Sequence, residues 1–291
     1  PHLKGMIRSN ADFNFRRNNE QEASNGISNS LGSYTSGWST YKQYQGDFLF
    51  SYDNKITEDL TYTVNIGGST LQKRDEQTTE RTDGGLAIPY FYSIENSVNR
   101  PSVSYHLSES RTNALYTFAQ FGYKTWLFAD ITARNDWSST LPKSNRSYFY
   151  PSISSGFVFS EAFDWRQQLL SFGKIRASWA QVGRDTDPYR TNFSYPSAGS
   201  FNGAPMYQLD PSIPLLNLKP EITSNIELGT ELIFFNGRIG LDFTYYRSNT
   251  RNQILPAGVS ASSGFVSAII NSGEILNKGI EVQLKTRPIE S

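Results

Sequence analysis

Residues 222–253 read ITSNIELGTELIFFNGRIGLDFTYYRSNTRNQ, and this segment carries the clearest structural pattern in the chain. At its centre, Asn236-Gly237 is the strongest short-range signal for a β-hairpin, because both residues tolerate the positive φ of a type I′ turn. Apolar and polar residues alternate along both arms, so each strand presents one apolar and one polar face. Each arm is longer than the usual strand of about five or six residues. Such a ribbon fits a wall that is apolar outside and wet inside better than it fits a compact core.

The alternation assigns the side chains of both arms to faces. The predicted apolar face carries Ile226, Leu228, Thr230, Leu232, Phe234, Leu241, Phe243 and Tyr245. The predicted polar face carries Asn225, Glu227, Gly229, Glu231, Asp242, Thr244 and Tyr246.

The composition disfavours some classes of protein. The 291 residues include 27 basic and 27 acidic side chains, so the net charge is zero. A protein that binds nucleic acid normally shows a basic excess, and we therefore expect no nucleic-acid partner. The chain has no cysteine, which excludes disulfides and thiolate ligands. Aromatic residues make up 14% of the chain. Soluble β proteins and outer-membrane barrels both fit this composition, because half of each barrel strand faces water.

The longest apolar runs, such as residues 232–235, fall far short of the ~20 residues that a membrane-spanning helix needs. The chain opens and closes in the middle of a pattern. We interpret residues 1–291 as an internal piece of one β-barrel domain of a longer chain, so the absence of a leader sequence carries no information.

Strands and connections alternate along the whole chain. Strands are predicted over residues 5–17, 46–55, 60–71, 112–123, 126–136, 147–160 and 173–184, over both arms of the hairpin, and over 273–286. Long loops are predicted over residues 18–40, 72–111, 137–146, 185–221 and 254–272, and a short helical turn over 161–171. The charged run 73–81 is interpreted as a solvated loop, because its charges nearly balance.

The connections alternate between short and long, which is typical of an up-and-down membrane barrel with short periplasmic turns and long extracellular loops. The aromatic residues that border the short connections fit an interfacial girdle: Tyr123, Trp126, Phe163, Trp165, Phe234 and Phe235. The alternative is that these rings pack a soluble core at the strand ends. The fold class predicted is all-β, a partial antiparallel up-and-down transmembrane β-barrel of about ten strands.

Five segments, in order, resemble the SusC/RagA branch of the TonB-dependent outer-membrane transporters. They are ARNDWSS (133–139), YPSISSGF (150–157) running on to Ser160-Glu161, KIRASWAQVG (174–183), LKPE (218–221) leading to ELG (227–229), and NSGEILNKGIE (271–281). The resemblance is good from residue 112 to residue 281. The plug domain and the closing strands of that family have no counterpart here, and about ten strands compare with the 22 of such transporters.

The resemblance implies a multi-pass barrel in the outer membrane of a Gram-negative bacterium, in contact with lipid. It implies energised import of oligosaccharides or peptides, with a SusD-like lipoprotein as partner and with TonB acting through the N-terminal plug region that this chain lacks. Because unpaired backbone groups are excluded from lipid, about ten strands cannot form a pore alone. We expect the isolated piece to be a curved open sheet.

Aromatic residues of the long loops are the candidate contacts for a glycan or peptide, because flat rings stack on sugar faces and cover peptide side chains. The candidates are Tyr90, Tyr92, Trp137, Tyr189, Tyr195, Phe201 and Tyr207. The alternative is that these rings pack on one another or contact the lid protein.

Two other classes of function are alternatives to a transporter. A surface or secreted β-rich carbohydrate-binding or adhesin module would bury the apolar rows against a second sheet, whereas a barrel leaves them accessible. The test residues are Leu228, Leu232, Leu241, Phe243, Ile280 and Val282. A glycosidase needs two carboxylates ~5–9.5 Å apart, and Glu227 and Glu231 lie ~13 Å apart along one strand. We therefore predict no enzyme, no cofactor and no metal site, although Asp185 and Asp187 could offer oxygen ligands to a cation.

Overall fold

The computed structural model describes residues 2–25, 31–165, 169–202 and 204–287, and almost all regular structure in them is β. The strands are β1 (Leu3–Glu22), β2 (Ser33–Lys55), β3 (Leu60–Leu86), β4 (Ser97–Tyr123), β5 (Leu127–Ser138), β6 (Ser147–Phe157), β7 (Leu170–Arg184), β8 (Ser197–Phe201), β9 (Ala204–Tyr207), β10 (Ser212–Ile213), β11 (Glu221–Phe234), β12 (Ile239–Arg251), β13 (Ile254–Gly258), β14 (Ser267–Asn271) and β15 (Glu274–Thr286). The helical elements are α1 (Phe159–Ala162) and three 3₁₀ turns, Ile94–Asn96, Phe235–Gly237 and Ala261–Ser263.

Ten of these strands form one sheet in the order β1-β2-β3-β4-β5-β6-β7-β11-β12-β15. Strands that follow one another in this sheet are neighbours, as in an up-and-down meander. In the described part of the chain the order does not close on itself, because β1 and β15 stand at its two ends. The prediction of about ten antiparallel strands in a partial barrel is confirmed.

The connections within this sheet follow the predicted alternation with one exception. At one end of the sheet they cover residues 56–59, 124–126, 158–169 and 235–238. At the other end they cover residues 23–32, 87–96, 139–146, 185–220 and 252–273. The exception is 158–169, which contains α1 and is longer than 23–32, 87–96 and 139–146.

The Asn-Gly turn has the predicted backbone conformation. Asn236 and Gly237 have φ values of 51° and 96°, and the Arg238 N–H donates to the Phe235 carbonyl over 3.3 Å. Phe235 also takes a positive φ, of 53°, and its N–H donates to the carbonyl of Leu169. The ladder therefore ends one pair earlier than a two-residue hairpin would allow, at Phe234 opposite Ile239.

The apolar face of the sheet is accessible. Leu228 and Phe243 are 50% and 38% exposed, and Ile280 and Val282 are both 63% exposed. Leu232 and Leu241 are half-buried. None of these six test residues is buried. Packing against a second sheet would have buried them. This face is the one that the barrel interpretation assigns to lipid.

The strands β1 to β4 are longer than the sequence predicts. The predicted loops over residues 18–40 and 72–111 are largely wrong, because β1 runs to Glu22, β2 begins at Ser33, and β3 and β4 cover most of the second range. Residues 26–30 of the first loop lie outside the described residues. The charged run 73–81 is strand, and cross-strand contacts such as Arg74 Nη1 to Glu109 Oε1 at 2.7 Å stabilise it.

Three smaller predictions also need correction. The helical turn α1 begins two residues before the predicted range 161–171, of which residues 166–168 lie outside the described residues. Strand β6 ends at Phe157. The predicted loops 185–221 and 254–272 contain short strands: β8 pairs with β9, and β10, β14 and β13 form a three-stranded sheet.

The chain comprises two compact units. The first comprises residues 1–7, 47–69 and 113–291, and the second comprises residues 8–46 and 70–112. The buried apolar cluster of the first unit is Leu141, Tyr148 and Leu218, with Leu215 and Ile269 packed against it. This cluster lies among the long connections and not between layers of sheet. In the described residues, no helix is both long enough and apolar enough to cross a membrane.

Aromatic rings next to the short connections of the first unit form a chain of contacts. Tyr123 and Trp126 meet edge to face at 5.0 Å, and Trp126 meets Phe157 at 5.6 Å. Phe163 lies 6.0 Å from Phe157 and 5.1 Å from Trp165. Phe163 and Trp165 stay more than half exposed, so the cluster is not a soluble core.

Candidate functional site: the polar face and the long loops

One face of β5 and β6 is polar along its length, and we name it the polar ladder. The register that defines it pairs Asp130 with Ser154, Thr132 with Ser152, Arg134 with Tyr150 and Asp136 with Tyr148. Ser154 Oγ donates to Asp130 over 3.1 Å, and the hydroxyls of Thr132 and Ser152 are 2.5 Å apart. Residues directly opposite each other share a face, so these pairs form one continuous polar surface.

The end of the polar ladder next to the 139–146 connection is an ion-paired cluster. Arg134 Nε donates to Asp136 Oδ1 and to the Tyr150 hydroxyl, each over 2.7 Å. The Tyr150 hydroxyl in turn donates to Asp136 Oδ2 over 2.8 Å. The guanidinium also lies 5.5 Å from the centre of the Tyr116 ring, within the range of a cation–π contact. Several hydrogen bonds therefore link the three side chains, which fixes them in one arrangement.

A second ion pair crosses an intervening strand. The register pairs Arg176 of β7 with Gly229 of β11, and Gly229 with Thr244 of β12. Arg176 donates to both carboxylate oxygens of Asp242, over 2.8 and 2.6 Å, and to the Thr244 hydroxyl over 2.5 Å. A Cβ at position 229 would stand 2.5 Å from Arg176 Nε. Any other residue here would therefore meet the guanidinium where it passes over the strand, and Arg176 would have to move.

The two glutamates considered above for a glycosidase lie next to the point where Arg176 crosses β11. Glu227 and Glu231 lie on either side of Gly229 on β11. The register places Glu231 opposite Asp242, so these two carboxylates are cross-strand neighbours. Both oxygens of Asp242 accept hydrogen bonds from Arg176, which holds that carboxylate in an ion pair. This arrangement favours a structural role over acid–base chemistry.

The two aspartates considered for a cation have protein partners. The Ser138 hydroxyl donates to Asp185, and Arg190 Nη2 lies 2.5 Å from Asp187 Oδ2. Ser138 is 1% exposed and also contacts the Thr140 hydroxyl at 2.9 Å. In the described residues, no group of three or more acidic or histidine side chains gathers as metal ligands would. Asp185 therefore ties the start of the 185–220 connection to the end of β5.

The seven loop aromatics divide between the two units. Tyr90 and Tyr92 belong to the second unit, and the other five belong to the first. Tyr90, Tyr189, Tyr195, Phe201 and Tyr207 are exposed, whereas Tyr92 and Trp137 are half-buried. Trp137 is not in a loop, because it is the penultimate residue of β5 and pairs with Ser147. Phe201 and Tyr207 lie on the small hairpin of β8 and β9.

The segment that carries Tyr90 is held by a buried asparagine. Asn96 Nδ2 donates to the carbonyls of Ile88 and Phe91 over 2.8 and 2.6 Å, and its Oδ1 accepts from the Ile88 N–H over 3.0 Å. Tyr90 has a φ of 65°, which is uncommon for a side-chain-bearing residue. The ring of Tyr92 lies 6.5 Å from that of Tyr34. Tyr90 is thus exposed to solvent, whereas Tyr92 packs against Tyr34.

A polar cavity of about 490 Å³ lies at the long-loop end of the second unit. Residues Arg81 to Gly85, Ser33 and Ser102 line it, together with Leu31. None of the seven loop aromatics lines this cavity. No sequence pattern indicates it, because its residues lie in segments that were predicted to be loop.

The long connections of the first unit are joined by asparagine side chains. Asn271 Nδ2 donates to the carbonyls of Lys219 and Asn252 over 2.9 and 3.0 Å, and its Oδ1 accepts from the Lys219 N–H over 2.7 Å. Asn145 Nδ2 donates to Leu218 O over 3.0 Å and to Asn217 Oδ1 over 2.8 Å. These bonds tie three connections to the buried Leu218.

The charged strands of the second unit form a network outside any membrane-spanning segment. A barrel strand needs about 9–11 residues to cross the bilayer, and Glu76 lies well beyond that distance from the start of β3 at Leu60. Hydrogen bonds from Arg74 and from the Tyr105 hydroxyl lower the pKa of Glu76 below its usual value. The bond to Glu76 raises the pKa of Tyr105.

An accessible apolar face, a hydrogen-bonded polar face and an up-and-down order of strands define the class: the sheet is part of the wall of an outer-membrane β-barrel. The family model described as TonB dependent receptor-like, beta-barrel, matches residues 4–287. The chain belongs to this family, as the resemblance in the sequence implies.

Curated relatives and solved structures agree with this assignment. TonB-dependent receptor P26 of Formosa agariphila is 29% identical over 266 residues, which cover 88% of this chain and 26% of the relative. TonB-dependent receptor P3 of the same organism is 27% identical over 266 residues, which cover 84% of this chain and 26% of that relative. The structure of the RagAB peptide transporter superposes with a TM-score of 0.89 at 18% identity, covering 98% of this chain and 32% of that chain. The chain thus spans about a quarter of the length of these curated relatives, and the likeness to RagAB is one of fold.

Proposed function

We propose that this chain is part of the barrel of a TonB-dependent active transporter that imports oligosaccharides or peptides across the outer membrane. In this proposal residues 1–291 lie within the barrel domain, and the plug and the closing strands belong to other parts of the receptor. The observation that carries the proposal is the pairing of an accessible apolar face with a polar face that carries hydrogen-bonded ion pairs on one sheet. A wall between lipid and a water-filled path needs both.

The ion pairs of the polar face suit a path that polar cargo crosses. Arg134 and Arg176 each hold a carboxylate, so both of these arginine charges are neutralised by a neighbour on this face. A balanced and ordered surface offers hydrogen bonds to a passing glycan or peptide without trapping it by a strong single-sign field.

The partners follow from the same proposal. A SusD-like lipoprotein covers the long-loop end, and TonB acts through the plug. The name of the RagAB peptide transporter supports import as the activity. Cargo contacts are assigned to Tyr90, Tyr92, Trp137, Tyr189, Tyr195, Phe201 and Tyr207. Phe201 and Tyr207 are the first choice for a test, because each is 68% exposed.

The test is an uptake assay in the bacterium that carries the full-length receptor. Cells lacking the gene are offered fluorescently labelled mixed oligopeptides and mixed oligosaccharides, with and without collapse of the proton-motive force. We expect one cargo class to depend on both the gene and the energy supply. If uptake of neither class changes on deletion, the proposal is wrong.

Two variants refine the assay. Phe201→Ala with Tyr207→Ala removes two exposed rings and is expected to reduce uptake about tenfold, the equivalent of lost stacking at two sites. Phe149→Leu, on the apolar face, is the matched control and should leave uptake unchanged. Affinity purification of the receptor from membranes should also retain a lipoprotein, and its absence would contradict the SusD-like partner.

A further inference from the structure

One row of residues on the apolar face changes from apolar to basic along its length. The register pairs Trp179 with Ile226, Ile226 with Arg247, and Arg247 with Lys278. Paired residues share a face of the sheet. This row therefore lies on the side that carries Leu228 and the other accessible apolar residues, one step further from the short turns.

Arg247 and Lys278 are two cations placed directly opposite each other. The Cα atoms of such a pair are about 4.5–5.5 Å apart, and like charges in this position destabilise a sheet. Both side chains are exposed. The acidic residue of this face, Glu274, already accepts from Asn249 Nδ2 over 2.6 Å and from Arg251 Nε over 3.0 Å. In the described part of the chain, neither Arg247 nor Lys278 forms a salt bridge, and Arg247 attracts Glu274 only at longer range.

The height of the row matches the outer edge of the apolar band. Arg247 lies eight residues beyond Ile239, the first residue of β12. At ~3.4 Å per residue and a tilt of ~40°, this corresponds to about 21 Å above the short turn. The apolar band of such barrels is ~25 Å tall. Trp179 in the same row is 37% exposed, and tryptophan is enriched at membrane–water interfaces.

We propose that Arg247 and Lys278 together bind the phosphate of a phosphorylated lipid headgroup in the outer leaflet. Guanidinium and ammonium groups both donate hydrogen bonds to phosphate oxygens. An anion bound between the two cations offsets their mutual repulsion. The acyl chains of such a lipid would lie along Leu228, Phe243 and Ile280 beneath the row. The proposal uses the membrane location of the barrel and is independent of the cargo.

The test is lipid binding by the full-length receptor purified in detergent. Binding of diphosphorylated lipid A is compared between the wild type and the double variant Arg247→Gln, Lys278→Gln. Loss of two interfacial cations is expected to weaken binding by roughly tenfold to thirtyfold at low salt. Unchanged affinity in the double variant would overturn the proposal.

Controls separate this site from general charge effects. Lys285→Gln, on the polar face of the same strand β15, should bind as the wild type does. Arg247→Lys with Lys278→Arg keeps both charges and should retain binding. Fully dephosphorylated lipid A should bind weakly to every form. If inorganic phosphate alone competes at micromolar concentration, the site takes a free anion and the lipid assignment is wrong.

Folding of each variant is checked by its resistance to unfolding in SDS before heating. If the double variant is not folded, Lys278→Gln alone is measured, with an expected loss of about fivefold. A folded single variant with wild-type affinity would contradict the proposal. Cargo uptake should be unchanged in all these variants, so the outcome is independent of the import assay.

Discussion

Arg176 on β7 and Asp242 on β12 form a two-bond ion pair across a strand that contributes only Gly229 at the crossing point. The pair joins three neighbouring strands on the polar face through side chains as well as through the backbone ladder. Both side chains are about one-third exposed, so solvent weakens the attraction.

The first prediction concerns this crossing. Gly229→Ala should displace Arg176 from Asp242, because the added Cβ would lie 2.5 Å from Nε. We expect the free energy of unfolding of the full-length receptor to fall by about 1–2 kcal/mol, the scale of a partly exposed charged hydrogen bond. Urea unfolding in detergent provides the measurement.

Gly240→Ala is the matched control for Gly229→Ala. It adds the same methyl group to the same sheet, where the nearest atom is Lys285 Cβ at 3.6 Å, an ordinary contact. Asp242→Asn should reproduce most of the loss. Equal stability of the two alanine variants would show that the ion pair contributes nothing.

The second prediction concerns Asn271, which links the 185–220 and 252–273 connections through three hydrogen bonds. Asn271→Ala should leave the carbonyls of Lys219 and Asn252 and the Lys219 N–H without this partner. We expect amide exchange in residues 215–220 and 252–256 to become about tenfold faster, corresponding to one or two lost hydrogen bonds. Hydrogen exchange with mass spectrometry measures it.

Asn192→Ala, in the same 185–220 connection, serves as the control for Asn271→Ala. Residue 192 is exposed, and its amide makes none of the contacts that tie the connections together. Asn271→Asp keeps the acceptor but loses the donor, so its exchange should be intermediate. If exchange near Leu218 were the same in the wild type and in Asn271→Ala, the cluster of connections would not depend on this side chain.

The third prediction is a pH dependence in the second unit. Arg74 and Tyr105 lower the pKa of Glu76 below the usual value of 4.5. A lowered folded-state pKa contributes stability that is present above the unfolded-state value and is lost as the pH falls through the folded-state value. Residues 73–80 and 103–109 should therefore open more often below about pH 4 than at pH 7.

Hydrogen exchange corrected for its intrinsic pH dependence measures this opening. Glu76→Gln should flatten the pH response of these residues, because glutamine does not titrate. Glu80→Gln, on the same face of the same strand, is the control and should keep it. An identical pH response in Glu76→Gln and the wild type would assign the effect to other groups.

The sequence predicts those parts of the fold in which one face meets lipid. The β11–β12 hairpin alternates cleanly, so its strands, faces and turn could be read from the residues. The upper parts of β2, β3 and β4 lack that alternation, because polar and charged residues occupy both faces where both meet water. Their strand structure depends on cross-strand pairs such as Arg74 with Glu109, which no local pattern reveals.

The candidate site was harder to predict for the same reason. Arg176, Asp242 and Gly229 are far apart in sequence, and only the register brings them together. Asn145 and Asn271 occur in segments rich in polar residues and carry no signal of their contacts. The loop aromatics were easy to find by composition, yet Trp137 proved to be the penultimate residue of a strand.

In the proposed orientation, the paired charged strands of the second unit also form part of the surface that an antibody or a phage would contact outside the cell. Residues 73–81 and 103–111 are held side by side by Arg74, Glu109, Glu76 and Tyr105. The epitope they form is discontinuous and ordered. A linear peptide copied from either segment would therefore be a poor vaccine antigen, whereas a grafted hairpin that retains both segments would reproduce it.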